Sequence, residues 1–414
     1  MTKFFPIRTD TACQLKWNWS TLYLHEGKTA SCHRTGWSKL TPENFVDFHN
    51  TERKQQERQS MLKGQWPKDS CQYCSDIEKT GGFSDRLLHL DIPDMYPLEL
   101  DQDPTALVVT PTILEVYFNN TCNLSCVYCT PNLSSKINQE NIKFGDWEYQ
   151  DLKLRSIPIT SDYEKTLEKF WSWMDENSHK LKRFNVLGGE PFYQLEYFKL
   201  LQYFEDRPHP NLELGIVTNL MISSDKLDAM IERWKSLLKK RHLKRIDVTC
   251  SIDCWGTEQT YVRHGLDLKT WQTNFEKLLG FKWLKINVNQ TISVLTIKTM
   301  PALLKNLQVW RQQHEIGHYF SEVSPGPSHL KPNILGAIFD QDFEQILSLM
   351  PADSQQDRNA ISYMKGISEH VSSSTKNIAE SDKLQKYLDE IDRRRGTDWK
   401  QTFPWLAKEI EHVV

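Results

Sequence analysis

Three cysteines fall within eight residues, Cys122, Cys126 and Cys129, directly after the apolar run Ile113 to Phe118 and the polar step Asn119-Asn120-Thr121. A β-branched and aromatic run followed by a polar loop reads as a strand that ends in a turn. From here the chain alternates between short runs of this kind (Phe184 to Leu187, Leu214 to Thr218, Ile246 to Ile252, Ile286 to Leu295) and amphipathic stretches. The latter carry apolar residues three and four apart, such as Leu167, Phe170, Trp171 and Met174, or Leu227, Met230, Ile231, Trp234 and Leu238. Strand and helix in alternation predict parallel βαβ units. With a helix over Met300 to Gln312, roughly six units fit, fewer than the eight of a closed barrel. Loops after parallel strands lie at the carboxyl edge of the sheet, where α/β folds place ligands, and the three cysteines lie on such a loop.

At 414 residues the chain is longer than one typical domain. Three regions are expected: a cysteine-rich segment over 1–105, the α/β core over 106–332 and a helical extension over 333–414. The acidic, proline-containing stretch Asp91 to Pro104 reads as a linker. Between Cys129 and Tyr163 the sequence is polar without a clear period, longer than structureless loops usually are, so a functional or mobile loop is expected. The extension reads as helices, including Asp382 to Arg395 and Trp405 to His412, with a serine-rich turn at Ser372 to Thr375 and an aromatic hook at Phe403 to Leu406. No chemistry is read in it.

The net charge of -3 gives no reason to expect a nucleic-acid or membrane partner. The basic run Arg233 to Arg245 reads as a solvated outer helix face. No run of eighteen apolar residues occurs and the N-terminus lacks a signal-peptide core, which predicts a cytoplasmic protein. In that compartment thiols stay reduced, so the nine cysteines point to metal rather than disulfides.

Three thiolates on a tight loop hold three corners of a cubane and leave the fourth iron open. The alternative is a zinc site pairing Cys71-x-x-Cys74 with Cys126-x-x-Cys129, which strands Cys122. The spacing CxxxCxxC, with the aromatic Tyr128 before the last cysteine, resembles the signature of the radical S-adenosylmethionine superfamily. The resemblance continues in Gly188-Gly189-Glu190-Pro191 after the second strand, Thr218-Asn219 after the third, Ser251-Ile252-Asp253 after the fourth and Tyr261-Val262-Arg263-His264-Gly265 beyond it. It implies a partial (β/α)6 TIM barrel and a [4Fe-4S] cluster on Cys122, Cys126 and Cys129. S-adenosylmethionine would meet Tyr128, Gly188, Gly189, Glu190, Thr218, Asn219, Ser251, Asp253, Arg263 and Leu295. Arg263 is the expected partner of the methionyl carboxylate, because its fork is bidentate.

Upstream stand Cys13, Cys32, Cys71 and Cys74, the last pair reached through Arg58, Met61, Leu62, Gly64 and Pro67. This segment resembles the SPASM and twitch auxiliary-cluster domains of radical enzymes, although those commonly follow the barrel. The resemblance implies a second [4Fe-4S] cluster, while the spacing alone admits Zn²⁺ as well. Glu78, Gly81, Gly82, Ser84 and Arg86 continue the pattern, and a surface turn explains them equally. Trp17, Trp19 and Trp37 read as a sheath for the site or as core. Cys250 and Cys254 read as small buried side chains. The implied activity is hydrogen abstraction from a peptide or protein side chain, with an electron donor such as flavodoxin or ferredoxin. The alternatives are radical oxidation or epimerisation of a sugar or alcohol, and a non-catalytic zinc-binding interaction protein.

Overall fold

The computed structural model describes residues 4–79, 81–82, 84–90, 92, 94–323 and 327–411. It is mixed α/β with a largely parallel sheet of nine strands among the described residues. These are β1 (Trp19–Tyr23), β2 (Lys28–Ala30), β3 (Trp37–Lys39), β4 (Ile113–Tyr117), β5 (Arg183–Leu187), β6 (His209–Thr218), β7 (Leu243–Ser251), β8 (Lys285–Ile292) and β9 (Ile316–Glu322). The chain forms two compact units, Met1–Asn120 with Pro158–Ile216 and Glu232–Ile246, and Thr121–Ile157 with Val217–Ile231 and Asp247–Val414.

In the first unit β1, β4, β5 and β6 pair in parallel, in registers that include Trp19↔Ile113, Ile113↔Arg183 and Arg183↔Glu213. Alternation sends Leu114, Val116 and Phe118 to one face, where Phe118 meets Phe170 of helix Tyr163–Asn177 edge-on at 5.4 Å. The other face carries one polar row between apolar ones. Thr21, Glu115, Asn185 and Gly215 share one register row, and the Thr21 hydroxyl donates to Glu115 at 3.0 Å.

This pairing corrects the division at residue 105. The cysteine-rich segment is not separate from the α/β core, because β1 continues the parallel sheet through β4 and β2 and β3 extend it as an antiparallel meander. The stretch read as a linker is also tied down. Gln14, fully buried, donates to the Ile92 carbonyl and accepts its N–H, both at 3.0 Å, and Leu98–Gln102 is helical. Asp91 lies outside the described residues.

In the second unit β7, β8 and β9 pair in parallel, with Asp247↔Lys285 and Ile286↔Ile316. The stretch expected as a structureless loop after Cys129 is ordered. Ser134 caps helix Ser135–Phe144 by accepting the Ile137 N–H, and Trp147–Tyr149 and Leu152–Leu154 form a hairpin. Short, half-buried elements carry too little apolar periodicity to be seen in sequence. The helical extension contains Asp340–Leu349, Gln355–Ser372, Ile378–Arg395, Trp399–Thr402 and Pro404–Glu411. The helix expected from Asp382 starts earlier, at Ile378, because Asn377 caps it by accepting the Glu380 N–H at 3.1 Å. His412, the expected end of the last helix, lies outside the described residues. Among the described residues no helix is long and apolar enough to cross a membrane.

Candidate functional site

The cysteine loop belongs to the second unit, and backbone bonds hold it. Cys126 and Arg263 form an antiparallel pair, as do Ser125 and His264, and the Val127 N–H donates to the Val262 carbonyl at 2.8 Å. The Cys129 N–H donates to the Cys126 carbonyl at 3.0 Å, and the Cys122 N–H to Ser135 Oγ at 3.1 Å. Gly265 follows the paired strand at φ 96°, where a Cβ would crowd Leu124 Cδ2 at 3.2 Å. That contact explains the glycine of the Tyr261 to Gly265 segment. The three thiols are half-buried and form no disulfide. Burial, then Cys126 and Cys122, push the Cys129 thiol up, so the three sulfurs feel one another.

Behind the loop lies a buried ion pair. Arg263 donates from Nε and Nη2 to the two carboxylate oxygens of Asp253, each at 2.8 Å, and Tyr128 donates its hydroxyl to Asp253 at 2.8 Å. The Asp253 carboxylate also accepts the Thr291 N–H at 2.9 Å. The fork expected to meet a ligand carboxylate is therefore engaged by a carboxylate of the chain, and the pair is buried rather than at the surface. Burial raises the Cys126 thiol while Arg263 opposes it, so a positive charge faces the loop thiolate.

Asn219 donates to Asn123 Oδ1 at 2.8 Å and to the Cys122 sulfur at 3.9 Å. It sits at a strained turn. Leu220 adopts φ 60°, sparsely populated for a branched side chain, and its N–H is held by Thr218 Oγ1 at 2.9 Å while Asn219 Oδ1 accepts the Met221 N–H at 2.9 Å. Thr218 and Asn219 thus have a local task, presenting Asn219 to the cysteine loop. Ser251 ends β7 in register with Asn289, and Leu295 is buried. Cys250 and Cys254 are both fully buried, as small core side chains are.

The glycine motif belongs to the first unit. Gly188 at φ 81° leaves no room for a Cβ, which would stand 2.4 Å from Tyr117 Cδ1, so packing against β4 alone demands glycine there. Glu190 is buried and caps the following turn, accepting the Phe192 N–H at 3.3 Å.

Cys13, Cys32, Cys71 and Cys74, also in the first unit, line one cavity with Met61 and Trp66. Burial pushes the Cys32 thiol up to about 12. One carboxylate organises the wall. Glu57 accepts from Ser31 at 2.7 Å, from Ser70 at 2.5 Å and from Lys16 at 2.6 Å. Ser31 and Ser70 each precede a cysteine, and Lys16 stands three residues after Cys13. Burial alone would raise the Glu57 carboxyl, but Lys16 and the two serines hold it at about 2. Arg58, fully buried, ties the same region by donating to the carbonyls of Lys16, His49 and Leu107. Glu78, Ser84 and Arg86 are no surface turn. Arg86 is buried, pairs with Glu78 at 2.5 Å and donates to the Ala12 carbonyl at 2.7 Å, next to Cys13. Trp17 and Trp19 pack with Cys13, Cys32 and Cys71, whereas Trp37 is exposed beneath Lys28.

Among the described residues no three His, Cys, Asp or Glu side chains stand as the ligands of one metal ion. Both cysteine sets still have the donor chemistry for a thiolate-held cluster: grouped thiols that give up their protons when a metal binds. Within the basic run Arg233 pairs with Glu205, and Lys244 and Arg245 with Glu213, all in the first unit.

No protein-family model matches the chain, and no curated protein does. Among solved structures, native anSMEcpe with bound AdoMet is 16% identical over 57% of this chain and 58% of its own, with a TM-score of 0.36. The same protein with AdoMet and the Cp18Cys peptide is 14% identical over 57% of this chain and 56% of its own, at 0.32. SuiB of Streptococcus suis is 14% identical over 79% of this chain and 66% of its own, at 0.37. The chain spans 58% of the length of the first of these.

Proposed function

We propose that the protein is a radical S-adenosylmethionine enzyme with a partial (β/α)6 barrel, acting on a peptide or protein side chain. The observation that carries this reading is the loop Cys122 to Cys129: three half-buried thiols on one backbone-braced turn, beside a buried Arg263–Asp253 pair. Three protein ligands leave one corner of a cubane for the cofactor. When bound, the cluster and S-adenosylmethionine supply one-electron cleavage of the sulfonium and a 5′-deoxyadenosyl radical that takes a hydrogen atom from the substrate.

The chain's own residues prepare that site. The pairing of Cys126 with Arg263 fixes the loop, and Tyr128 and Arg263 share Asp253, so the aromatic residue of the motif and the cation are locked in one geometry. Asn219 braces the loop from the end of β6. The N-terminal cysteines, organised by Glu57, would hold the auxiliary cluster that exchanges an electron with substrate. A peptide or protein side chain is the substrate class that the resemblance of the two cysteine segments to radical enzymes with auxiliary-cluster domains implies. Reconstituted, reduced protein should convert S-adenosylmethionine to 5′-deoxyadenosine, read by chromatography, and Cys126→Ala should abolish the product. Undiminished product from that variant sinks the reading.

A further inference from the structure

The helix Ile378–Arg395 carries no motif, yet it bonds once to the cysteine loop and again, through two arginines, to the helix and turn just downstream of it. The Tyr387 hydroxyl donates to the Val127 carbonyl at 2.5 Å, between the second and third cysteines. Arg394 donates to Asn141 Oδ1 at 2.7 Å and to the Gly145 carbonyl at 3.0 Å, on the helix and turn downstream of the loop. Arg395 donates from Nε and Nη2 to Glu140, at 3.1 and 3.0 Å. All of these groups belong to the second unit.

Arg395 differs from Arg394 in one respect. Its side chain is only 3% exposed, and its Nη1 is buried without any acceptor. Buried donors are almost always satisfied, and an orphan on a charged group calls for a partner that the protein chain does not supply. Among the groups that feel the Arg395 charge are Cys126, His264, Tyr261 and Tyr387, with Glu140 as its ion-pair partner. If the loop cysteines hold their cluster, its anionic sulfurs beside Cys126 supply the acceptor that the chain does not. Hydrogen bonds to cluster sulfurs are among the determinants of cluster potential, and groups behind the ligands orient and tune metal sites.

We propose that Arg395 donates a hydrogen bond from Nη1 to a sulfur of the cluster held by Cys122, Cys126 and Cys129, so that the C-terminal helix helps to set its reduction potential. This rests on the reading of that loop as the cluster site. Glu140 holds the guanidinium by its other two nitrogens, which aims Nη1, and Tyr387 keeps the loop at a fixed distance from the helix. The donation stabilises the reduced cluster, which carries one more negative charge.

The test uses the full chain, reconstituted without S-adenosylmethionine. In an EPR-monitored redox titration Arg395→Gln should shift the one-electron equilibrium about tenfold toward the oxidised cluster, ~59 mV to lower potential. Arg393→Gln on the same helix, whose residue is exposed and pairs with Glu390, should leave the potential unchanged. A second measurement reads the wild type directly. With ¹⁵N-labelled arginine, pulsed EPR of the reduced cluster should detect a nitrogen coupling, of which Arg395→Lys removes the part due to Arg395 and leaves the part due to Arg263 beside Cys126; a coupling unchanged in Arg395→Lys overturns the hydrogen bond. An unshifted potential in Arg395→Gln, or a normal wild-type cluster without arginine coupling, overturns the hydrogen bond. A wild type that assembles no cluster at all removes the reading beneath it, and the iron content distinguishes that failure from the other.

Discussion

The two cysteine sets are held together in opposite ways. Cys122, Cys126 and Cys129 lie within one turn, half-buried, held by backbone pairing to the Arg263 strand and braced by Asn219 and Tyr387. Cys13, Cys32, Cys71 and Cys74 come from distant segments, and the first three are buried. A single carboxylate, Glu57, gathers the residues beside them. A local site needs only a loop of the right shape, whereas an assembled site needs a buried polar network whose removal should disturb both metal and fold.

That contrast is broken most severely at Glu57. Glu57→Gln leaves Lys16 buried without its charge partner, and removing one member of a buried pair typically costs about 3 to 5 kcal/mol. Urea denaturation should show that loss, and iron analysis should show the N-terminal site emptied while the Cys122 to Cys129 loop keeps its share. A loss below ~1 kcal/mol, the range of exposed pairs, would mean that Glu57 gathers nothing. Zinc rather than iron at the N-terminal cysteines would make that site structural.

Acid separates the two sites further. Burial keeps the His329 ring neutral down to about pH 4, whereas the unfolded chain takes up its proton near pH 6.5. The unfolded state then binds more protons, so this contribution is complete above pH 6.5 and is lost as pH falls toward 4. It amounts to about 3 kcal/mol, and His329→Gln should flatten the fall in urea midpoints across that window. Glu57, held at about 2 against a usual 4.5, gives a contribution that is present above pH 4.5 and lost only below it. His329 packs on Tyr387 at 4.6 Å, so its window belongs to the brace of the Cys122 to Cys129 loop and the lower one to the N-terminal set. Coincident windows would show that the two are not independent.

The smallest effect is expected at Tyr387. Tyr387→Phe removes one donor from the Val127 carbonyl and should cost ~1 kcal/mol in thermal unfolding. It should also loosen iron retention at the loop without touching the N-terminal site. Equal iron loss at both would argue against a local brace.

Much of this was legible in the chain itself, for physical reasons that differ by region. The strands from Ile113 to Ile292 announce themselves because apolar, β-branched runs alternate with helices of strong three-and-four periodicity. β1 escaped, since Trp-Ser-Thr-Leu-Tyr is short and its Ser20 and Thr21 are buried by hydrogen bonding to Lys54 and Glu115 rather than by hydrophobicity. The cysteines were visible as ligand candidates, but nothing in their spacing marks Glu57, whose partners lie 13 to 41 residues away. Arg263 was singled out for its fork, and its engagement by Asp253 depends on a strand pairing that no local pattern reveals. Arg395 looked like one more cation at a helix end, where basic residues are ordinary.

The bond from Tyr387 to Val127 spans 260 residues of chain, and this sets an order on how the protein is made. At ribosomal speeds of about 5 to 20 residues per second, the cysteine loop is synthesised roughly 10 to 50 seconds before the helix that braces it. Throughout that interval the loop is exposed with a carbonyl unpaired and its thiols open to oxygen. If the loop holds the proposed cluster, its insertion is best timed after the helix Ile378–Arg395 has been made, and a chain cut short before that helix would present an unbraced set of thiols.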